Sequence, residues 1–413
     1  MNEFKPILKN NNFLYIWTSQ ILSQLTINIM NFVLLVRLFE NTGSTIATSL
    51  LWVAYSLPAA IVGPIASASV DILDRRKVLM ITNLLQSLTI FLFALSNEPT
   101  VFLVYGVVMV YSLLNQFYVP AESATLPSVV KKDHLPFGNS LFFMTQQGAI
   151  IAGFGIAGLL NHLLPFTTVL YLCSSLVFLA FVSTLFLPSQ KVVSKGSFNF
   201  EEKVLGFMGK IVEGYKFIKG HRSVLAPFGL LMGVQVILQV VIICVPVIAK
   251  DILAIPVNSS SLFVVIPAAI GALSGAFIIP KLIIKGWRKK KIILSSLEIA
   301  VAMFFFITFV CTLIDPSIRA YFAFLAVVLI GGSFVGITVP SNTFLQEVTP
   351  ADLRGRVFGN FWFLVTIASV FPVIFSGTII ELFGIKLLMF ILTAVMFCAL
   401  FFAKRFKLET NGK

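Results

Sequence analysis

The chain has 413 residues, of which 58% are hydrophobic and only 11% are charged, with a mean hydropathy of +0.98. A water-soluble protein could not cover so apolar a surface with polar groups, whereas a chain immersed in a bilayer need not. The formal net charge of +13 would suit a nucleic-acid partner, but the basic residues lie between apolar runs rather than on one surface. We therefore expect a protein surrounded by membrane lipids, with no nucleic-acid partner.

Twelve apolar runs are each long enough to cross hydrocarbon, which takes about 20 helical residues. The predicted spans are 12–38, 47–70, 78–96, 101–120, 140–160, 166–187, 224–249, 260–282, 292–314, 320–345, 357–380 and 385–403. The first run follows MNEFKPILKNNN without a small-residue cleavage site, which indicates a retained span rather than a signal peptide. The predicted fold class is an all-α membrane protein.

The distribution of basic residues predicts the topology. With the N-terminus inside, 26 of the 30 Lys and Arg residues face the cytoplasm. Those left outside are Arg37, Lys250, Arg319 and Lys386. Because cytoplasmic loops are enriched in Lys and Arg, we expect both termini to be cytoplasmic and the protein to lie in the inner (cytoplasmic) membrane of the cell.

One stretch of the sequence occurs twice. Residues 120–139 read PAESATLPSVVKKDHLPFGN and residues 340–360 read PSNTFLQEVTPADLRGRVFGN, so the opening prolines are 220 positions apart. A repeat at about half the chain length indicates a duplicated architecture, which is common in transporters. We predict a six-helix bundle over residues 1–188, a linker over 189–222 and a second six-helix bundle over 223–413. Apolar residues at helical spacing between lysines predict an amphipathic helix in this cytoplasmic linker.

Twelve spans in two similar halves resemble the major facilitator superfamily, and the loop after span two is similar to its signature, Gly-x-x-x-Asp-Arg-x-x-Arg-Arg. Asp71 matches the acidic position, and Arg75 and Arg76 match the basic cluster, while Ser67 and Ile72 depart from the pattern. A carboxylate at a helix end can pair with a neighbouring helix N-terminus or an arginine and hold one conformational state. The alternative is a basic loop that only sets topology.

The second copy of the repeat resembles one branch of the superfamily in particular. Residues 340–360, with Arg354 and Arg356, resemble a branch that contains macrolide-efflux proteins, the enterobactin exporter and the lysophospholipid transporter. The resemblance implies drug efflux by proton antiport, while the repeat and the topology predict two pseudo-symmetric six-helix bundles. Arg354 and Arg356 are expected to form a cytoplasmic gate by pairing with Asp352, Glu347 or the loop of the opposite half. Span five also resembles the antiporter glycine motif, with Gly153 followed by Phe154 where proline is usual; close helix packing is the alternative explanation for its glycines.

Polar residues recur at helical spacing inside several spans, where they are costly unless they face a cavity or a partner helix. In the superfamily, spans one, four, seven and ten line the central cavity. The hypothesised substrate contacts on these spans are Gln24, Asn28, Asn31, Tyr111, Asn115, Gln235 and Gln239. Uncharged amides and phenols suit a bulky, mainly apolar solute. Hydrogen bonding between helices, with no role in transport, is the alternative.

Two carboxylates are candidates for proton coupling. Glu122 follows the polar stripe of span four, and Glu298 lies about two turns into span nine. A carboxylate removed from water at either place can bind and release a proton. For Glu298, a salt bridge to residues 289–291 or an interfacial position is the alternative.

These expectations describe a monomeric secondary transporter that exports a small amphipathic solute against proton entry. The alternatives are a lysophospholipid flippase, a siderophore exporter and a nutrient importer. The sequence lacks HExxH, GxSxG and a Walker loop, which argues against an enzyme or an ATP-driven pump. No cofactor is expected, and the dispersed cysteines predict neither a disulfide framework nor a metal site: Cys173, Cys244, Cys311 and Cys398. A receptor or scaffold would leave the polar stripes without a purpose.

Overall fold

A computed structural model describes residues 5–70, 73–96, 100–131, 134–189, 209, 215–216, 218–220, 222–349 and 354–405. Within these ranges twelve helices are long and apolar enough to cross a membrane. They confirm the predicted all-α fold and the number of spans. Most of the linker, and with it the predicted amphipathic helix, lies outside the described residues.

The twelve long helices are numbered α1 to α12 in chain order. They are α1 Asn11–Thr42, α2 Thr45–Val70, α3 Arg75–Ala94, α4 Val101–Val129, α5 Leu135–Leu163, α6 Phe166–Leu185, α7 Arg222–Val247, α8 Ile266–Ile284, α9 Lys289–Phe305, α10 Pro316–Val348, α11 Arg354–Phe383 and α12 Ile385–Arg405. A one-turn helix, Lys5–Leu8, precedes α1. Short π-helical and 3₁₀ turns follow α7, precede α8 and follow α9.

The repeated stretch is more helical than the sequence suggested. Pro120 and Pro340 lie inside α4 and α10 rather than at their ends. Helices in a membrane tolerate proline because neighbouring groups satisfy the freed carbonyl. As a result α4 continues to Val129, and Glu122 is a helical residue.

The chain forms two compact units. Unit 1 comprises Met1–Leu38 and Leu51–Phe207, and unit 2 comprises Phe39–Leu50 and Met208–Lys413. The predicted boundaries of the bundles and the linker stay a prediction, because the two units are defined by contacts between residues and not by the sequence repeat. The segment 39–50, which contains the end of α1 and the start of α2, packs within unit 2.

The core of unit 1 lies where α1, α3 and α4 converge. Phe13 and Ile16 of α1, Leu79 of α3, and Tyr118 and Leu126 of α4 are at most 2% exposed and form one cluster. Burying such side chains against one another, rather than against lipid, fixes the relative position of these three helices through close packing.

In unit 2, α8 and α10 are in direct backbone contact. A Cβ atom at Gly271 would lie 1.8 Å from the carbonyl oxygen of Val328, and one at Gly331 would lie 2.1 Å from that of Ala268. Only glycine permits this approach, as in other small-residue helix crossings.

The ends of several unit 2 helices are held by side chains. Arg319 of α10 donates hydrogen bonds to the backbone carbonyls of Ile252, Thr312 and Ile314. Glu381, near the end of α11, accepts hydrogen bonds from the Ser44 hydroxyl and, at 3.0 Å, from the Ile46 amide. This carboxylate therefore caps the N-terminus of α2, where free amide groups and the helix dipole favour negative charge.

Candidate functional site

A chain of buried hydrogen bonds crosses the α1, α3 and α4 junction of unit 1. Ser23 Oγ donates to Asn83 Oδ1 at 3.2 Å, and Asn83 Nδ2 donates to Ser19 Oγ at 3.0 Å. Ser19 Oγ lies 3.1 Å from Tyr118 Oη, which donates to Glu122 Oε1 at 2.9 Å. All five side chains are at most 5% exposed. We call this set the α1–α3–α4 chain.

The donors in this chain point in one direction. Because Tyr118 gives its only proton to Glu122, the Ser19 hydroxyl is the donor in the contact with Tyr118. The hydroxyl of Ser23, the amide of Asn83 and the hydroxyl of Ser19 thus each donate towards Glu122. Hydrogen bonds aligned in this way polarise one another, which strengthens the final bond to the carboxylate.

Glu122 is 4% exposed. Its neighbours along α4, Tyr118 and Ala121, belong to the unit 1 core. Arg75 approaches the same part of α4, but its Nη1 donates to the Ala124 carbonyl at 2.9 Å. The α1–α3–α4 chain therefore presents a carboxylate inside a membrane span, with a phenol as its hydrogen-bond donor.

The remaining candidates on α1 and α4 differ in exposure. Gln24, Asn28, Asn31 and Asn115 are half-buried, whereas Tyr111 is 1% exposed. Four of the five predicted unit 1 contacts are thus partly exposed, and the Tyr111 side chain lies in the interior; the assignment of these residues to a solute stays a prediction.

Asn28 lies against α5. Its Nδ2 donates to the Gln24 carbonyl at 2.7 Å. A Cβ atom at Gly153 of α5 would lie 2.5 Å from the Asn28 Cβ. Among the glycines of α5, Gly153 makes this close approach, while Gly148 and Gly155 have nothing within 4 Å of an added Cβ.

In unit 2, Gln235 and Gln239 lie one turn apart on α7 and are both half-buried. Glu298 of α9 forms an ion pair with Lys404 of α12 at 2.8 Å, and both side chains are about half exposed. An exposed pair of this kind contributes little to stability. Glu298 therefore has a basic partner, although not the one that sequence reasoning considered.

The signature loop holds helix ends together. Asp71 lies outside the described residues. Asp74, three positions on, caps α3 by accepting from the Arg76 amide at 3.1 Å and from Ser189 Oγ at 2.9 Å. The guanidinium of Arg76 donates to the Leu185 carbonyl at the end of α6. Together with the Arg75 bond to α4, these contacts tie three helices at one place.

The second loop is described in part. Arg354 and Arg356 begin α11, but their side chains lie outside the described residues. Glu347, at the end of α10, forms an ion pair with Lys289, the first residue of α9. Predicted pairing of Arg354 or Arg356 with nearby carboxylates remains a prediction.

In the described part of the chain, no three His, Cys, Asp or Glu side chains lie close enough to hold a metal ion. Cys173, Cys244 and Cys311 are buried and Cys398 is exposed, each as a free thiol.

Sequence reasoning missed three members of the α1–α3–α4 chain. Ser19, Ser23 and Asn83 were not singled out, although Asn83 lies in the middle of an apolar run. A polar amide at that depth is itself a signal of function or of a partner helix. Asp74 was also missed, although an aspartate directly before a helix that begins Arg75-Arg76 is a common cap.

Comparisons with known proteins agree with this architecture. The profile of the Major Facilitator Superfamily matches residues 16–373. An uncharacterised MFS-type transporter of Bacillus subtilis (strain 168), YfiS, is 24% identical over 93% of this chain and 90% of its own length. Macrolide efflux protein A of Streptococcus pyogenes is 31% identical, but over only 30% of this chain and 31% of its own.

Solved structures show the same fold. The nucleoside transporter NupG superposes with a TM-score of 0.73 at 13% identity, covering 95% of this chain and 99% of the other (D323A mutant). A bacterial homologue of the human lysosomal transporter Spinster, inward-facing and unoccupied, gives a TM-score of 0.69 at 12% identity, covering 96% and 98%.

Proposed function

Because the chain belongs to the Major Facilitator Superfamily, and is therefore a membrane transporter rather than an enzyme, we propose that it is a secondary active transporter. It exports a small amphipathic, drug-like molecule from the cytoplasm in exchange for protons, by alternating access. In this proposal the protein is a monomer of the cell membrane with both termini in the cytoplasm.

Glu122 carries the proposal of proton coupling. A carboxylate in a membrane span is rare and commonly marks an ion or proton pathway. Here the carboxylate is 4% exposed, and its hydrogen bond comes from a neutral phenol, Tyr118. A group held in this way can accept a proton from water and return it to water on another side. Glu298 is the second candidate, and its partner Lys404 would have to release it first.

The solute contacts are assigned to half-buried amides. Gln24, Asn28, Asn31 and Asn115 of unit 1, and Gln235 and Gln239 of unit 2, offer donors and acceptors without charge; Tyr111 would join them if its ring turned outward. Such groups orient a bulky, largely apolar solute without requiring a counter-ion. Export of a macrolide-like solute is further supported by the partial similarity to macrolide efflux protein A.

The signature loop and its second copy are proposed to regulate opening. Asp71, Arg75 and Arg76 at the start of α3, and Arg354 and Arg356 at the start of α11, would hold helix ends in one state. The bonds from Arg75 to α4 and from Arg76 to α6 support this role, since their release would free two helix ends.

The test is export from energised cells or inverted vesicles. A macrolide (erythromycin), a cationic dye (ethidium), a siderophore and a lysolipid are each assayed with and without a proton uncoupler. We expect export of erythromycin or ethidium that the uncoupler abolishes. Glu122→Gln should lose proton-driven export, and Asn28→Ala and Asn115→Ala should weaken it for some solutes only.

The matched control is Glu381→Gln, which removes an exposed carboxylate outside both proposed sites and should retain export. The proton-coupling role of Glu122 would be refuted if the uncoupler left export unchanged. It would also be refuted if Glu122→Gln exported the solute at the wild-type rate. If the protein transports only the lysolipid or only the siderophore, the proposed drug-like solute is wrong and the transported compound takes its place.

A further inference from the structure

Helix α1 carries two polar stripes with the same spacing. Ser19, Ser23 and Thr26 are separated by steps of four and three residues, and so are Gln24, Asn28 and Asn31. The second stripe is the first displaced by five residues. Since each residue turns a helix by about 100°, the two stripes lie about 140° apart around α1.

The two stripes have different surroundings. Ser19, Ser23 and Thr26 are at most 5% exposed, and the two serines bond to Asn83 of α3 and Tyr118 of α4. The other stripe is half-buried, and its central residue, Asn28, lies against Gly153 of α5.

Contacts with α5 fix the orientation of that second side. Trp17 Nε1 donates to Thr145 Oγ1 at 2.8 Å, and Asn28 packs on Gly153. The α1 helix is therefore held between α5 on the side of the amides and α3 with α4 on the side of the serines.

The state of Glu122 reaches Ser19 of α1 through Tyr118. With Glu122 ionised, its Oε1 accepts from Tyr118 and every donor points towards it. With a proton on that oxygen, Glu122 becomes a donor, and Tyr118 must accept from it and turn its own proton to Ser19. The Ser19 oxygen then accepts from both Tyr118 and Asn83, as its two lone pairs permit, and the Ser19 proton must leave Tyr118 and turn to another acceptor.

The polar side of α1 extends one turn beyond Ser23. Thr26 Oγ1 and Gln86 Oε1 are buried, and no hydrogen-bond partner is found for either atom among the described residues. Gln86 follows Asn83 by three residues on α3, and its Nε2 approaches the Tyr111 carbonyl at 3.4 Å. A buried polar atom without a partner lowers the stability of the fold, so close packing alone does not account for Thr26 and Gln86 at this place.

We propose that α1 separates proton exchange from solute contact. In this arrangement Tyr118 and Ser19 are positioning residues that transmit the protonation of Glu122 to one side of α1, while Asn83 and Ser23 hold Ser19 in place. The solute acts on the amides of the other side, so the proton and the solute bias the same helix without sharing a binding group. This inference rests on the proposed function, both for proton coupling at Glu122 and for the solute contacts.

Titratable and charged groups around Glu122 are few in the described structure. Tyr118 bonds to it directly from one turn away on α4. Arg75 of α3 reaches the Ala124 carbonyl, and α1 contributes Ser19 through Tyr118. The infrared band of a protonated Glu122 therefore reports chiefly on the α1–α3–α4 chain.

The test compares variants of the two sides in the purified full-length protein in lipid nanodiscs. Infrared difference spectra between low and high pH should contain a carboxyl band that is absent in Glu122→Gln. Tyr118→Phe and Ser19→Ala, both close in shape to the native residues, should change the frequency of that band and shift its pH midpoint by about one unit. Asn28→Ala should change neither property.

Erythromycin binding and export supply the second readout. Asn28→Ala should weaken erythromycin binding several-fold with the pH profile of export unchanged. Tyr118→Phe should shift that profile and leave binding within about twofold. The matched control is Tyr171→Phe, a phenol of α6 outside the chain, which should leave both measurements as in the wild type.

The outcomes separate the two ideas. If the carboxyl band responds as expected but no solute is exported in a proton-dependent way, the proposed function fails and the assignment of the chain stands. If export is proton-driven but Tyr118→Phe and Ser19→Ala leave the band unchanged, or Asn28→Ala moves it, the separation by α1 is wrong.

Discussion

Replacing Gly271 by alanine tests the backbone contact between α8 and α10 most directly. The added Cβ would lie 1.8 Å from the Val328 carbonyl oxygen and 2.8 Å from the Gly332 nitrogen. Ordinary contact begins at about 3.4 Å, so the helices would have to separate by about 1.6 Å at this point. Both obstacles are backbone atoms, which cannot move aside by changing rotamer.

The cost follows from overpacking. Extra methylene groups in a packed interior typically cost 1–3 kcal/mol, and the absence of a flexible neighbour places Gly271→Ala at about 3 kcal/mol. For a unit of roughly 200 residues, this corresponds to a fall in Tm of about 6–12 °C. Gly275→Ala, whose Cβ would meet Val335 at 3.0 Å and Gly332 at 3.1 Å, should fall between Gly271→Ala and the wild type.

Thermal unfolding of the purified protein, followed by intrinsic fluorescence, measures the effect. The control is Gly233→Ala on α7, where an added Cβ meets nothing within 4 Å. Alanine is the better helix former, so the Tm of this control should stay the same or rise. A Gly271→Ala protein that melts with the wild type would refute the close approach of the two helices.

Two helix caps give further predictions. Asp74→Ala should cost about 1 kcal/mol, because the Arg76 amide at the start of α3 loses its acceptor, whereas Asp74→Asn should retain most of that stability; equal Tm values for all three proteins would contradict the cap. At the start of α10, Asp315 accepts hydrogen bonds from the hydroxyl and the backbone amide of Ser317. These bonds, the hydroxyl's most of all, lower the pKa of the Asp315 carboxyl. The stabilisation is present above the ordinary pKa of about 4 and is lost as pH falls through the lowered value. The Tm difference between wild type and Asp315→Asn should therefore be constant from about pH 5 to 8 and shrink below about pH 4.

The fold could be predicted from the sequence because few kinds of backbone structure can cross a membrane. Every backbone amide in hydrocarbon must be bonded within its own helix, so length and apolar content identify the spans. The same logic explains the boundary errors. Pro120 was taken as the end of span four, since proline breaks helices in water, but in this protein α4 continues past it.

The candidate site could be predicted from the sequence only in part. Glu122 could be found because Tyr118 precedes it by one helical turn, a relation that local spacing records. Ser19 and Asn83 meet across 64 positions, and no local period encodes a contact between two helices. Resemblance also directed attention to Asp71, while the carboxylate that the structure shows capping α3 is Asp74.

The carboxylate of Glu381 has a consequence for the order in which the protein is completed. Helix α2 has no acidic residue in its first turn, and its Ile46 amide is satisfied by a residue 335 positions later. A nascent chain inserts α1 and α2 long before Glu381 is synthesised, since domains form from the N-terminus during translation. The Ile46 amide at the start of α2 thus lacks this acceptor until α11 has been synthesised, and a fragment ending after α6 would never acquire it.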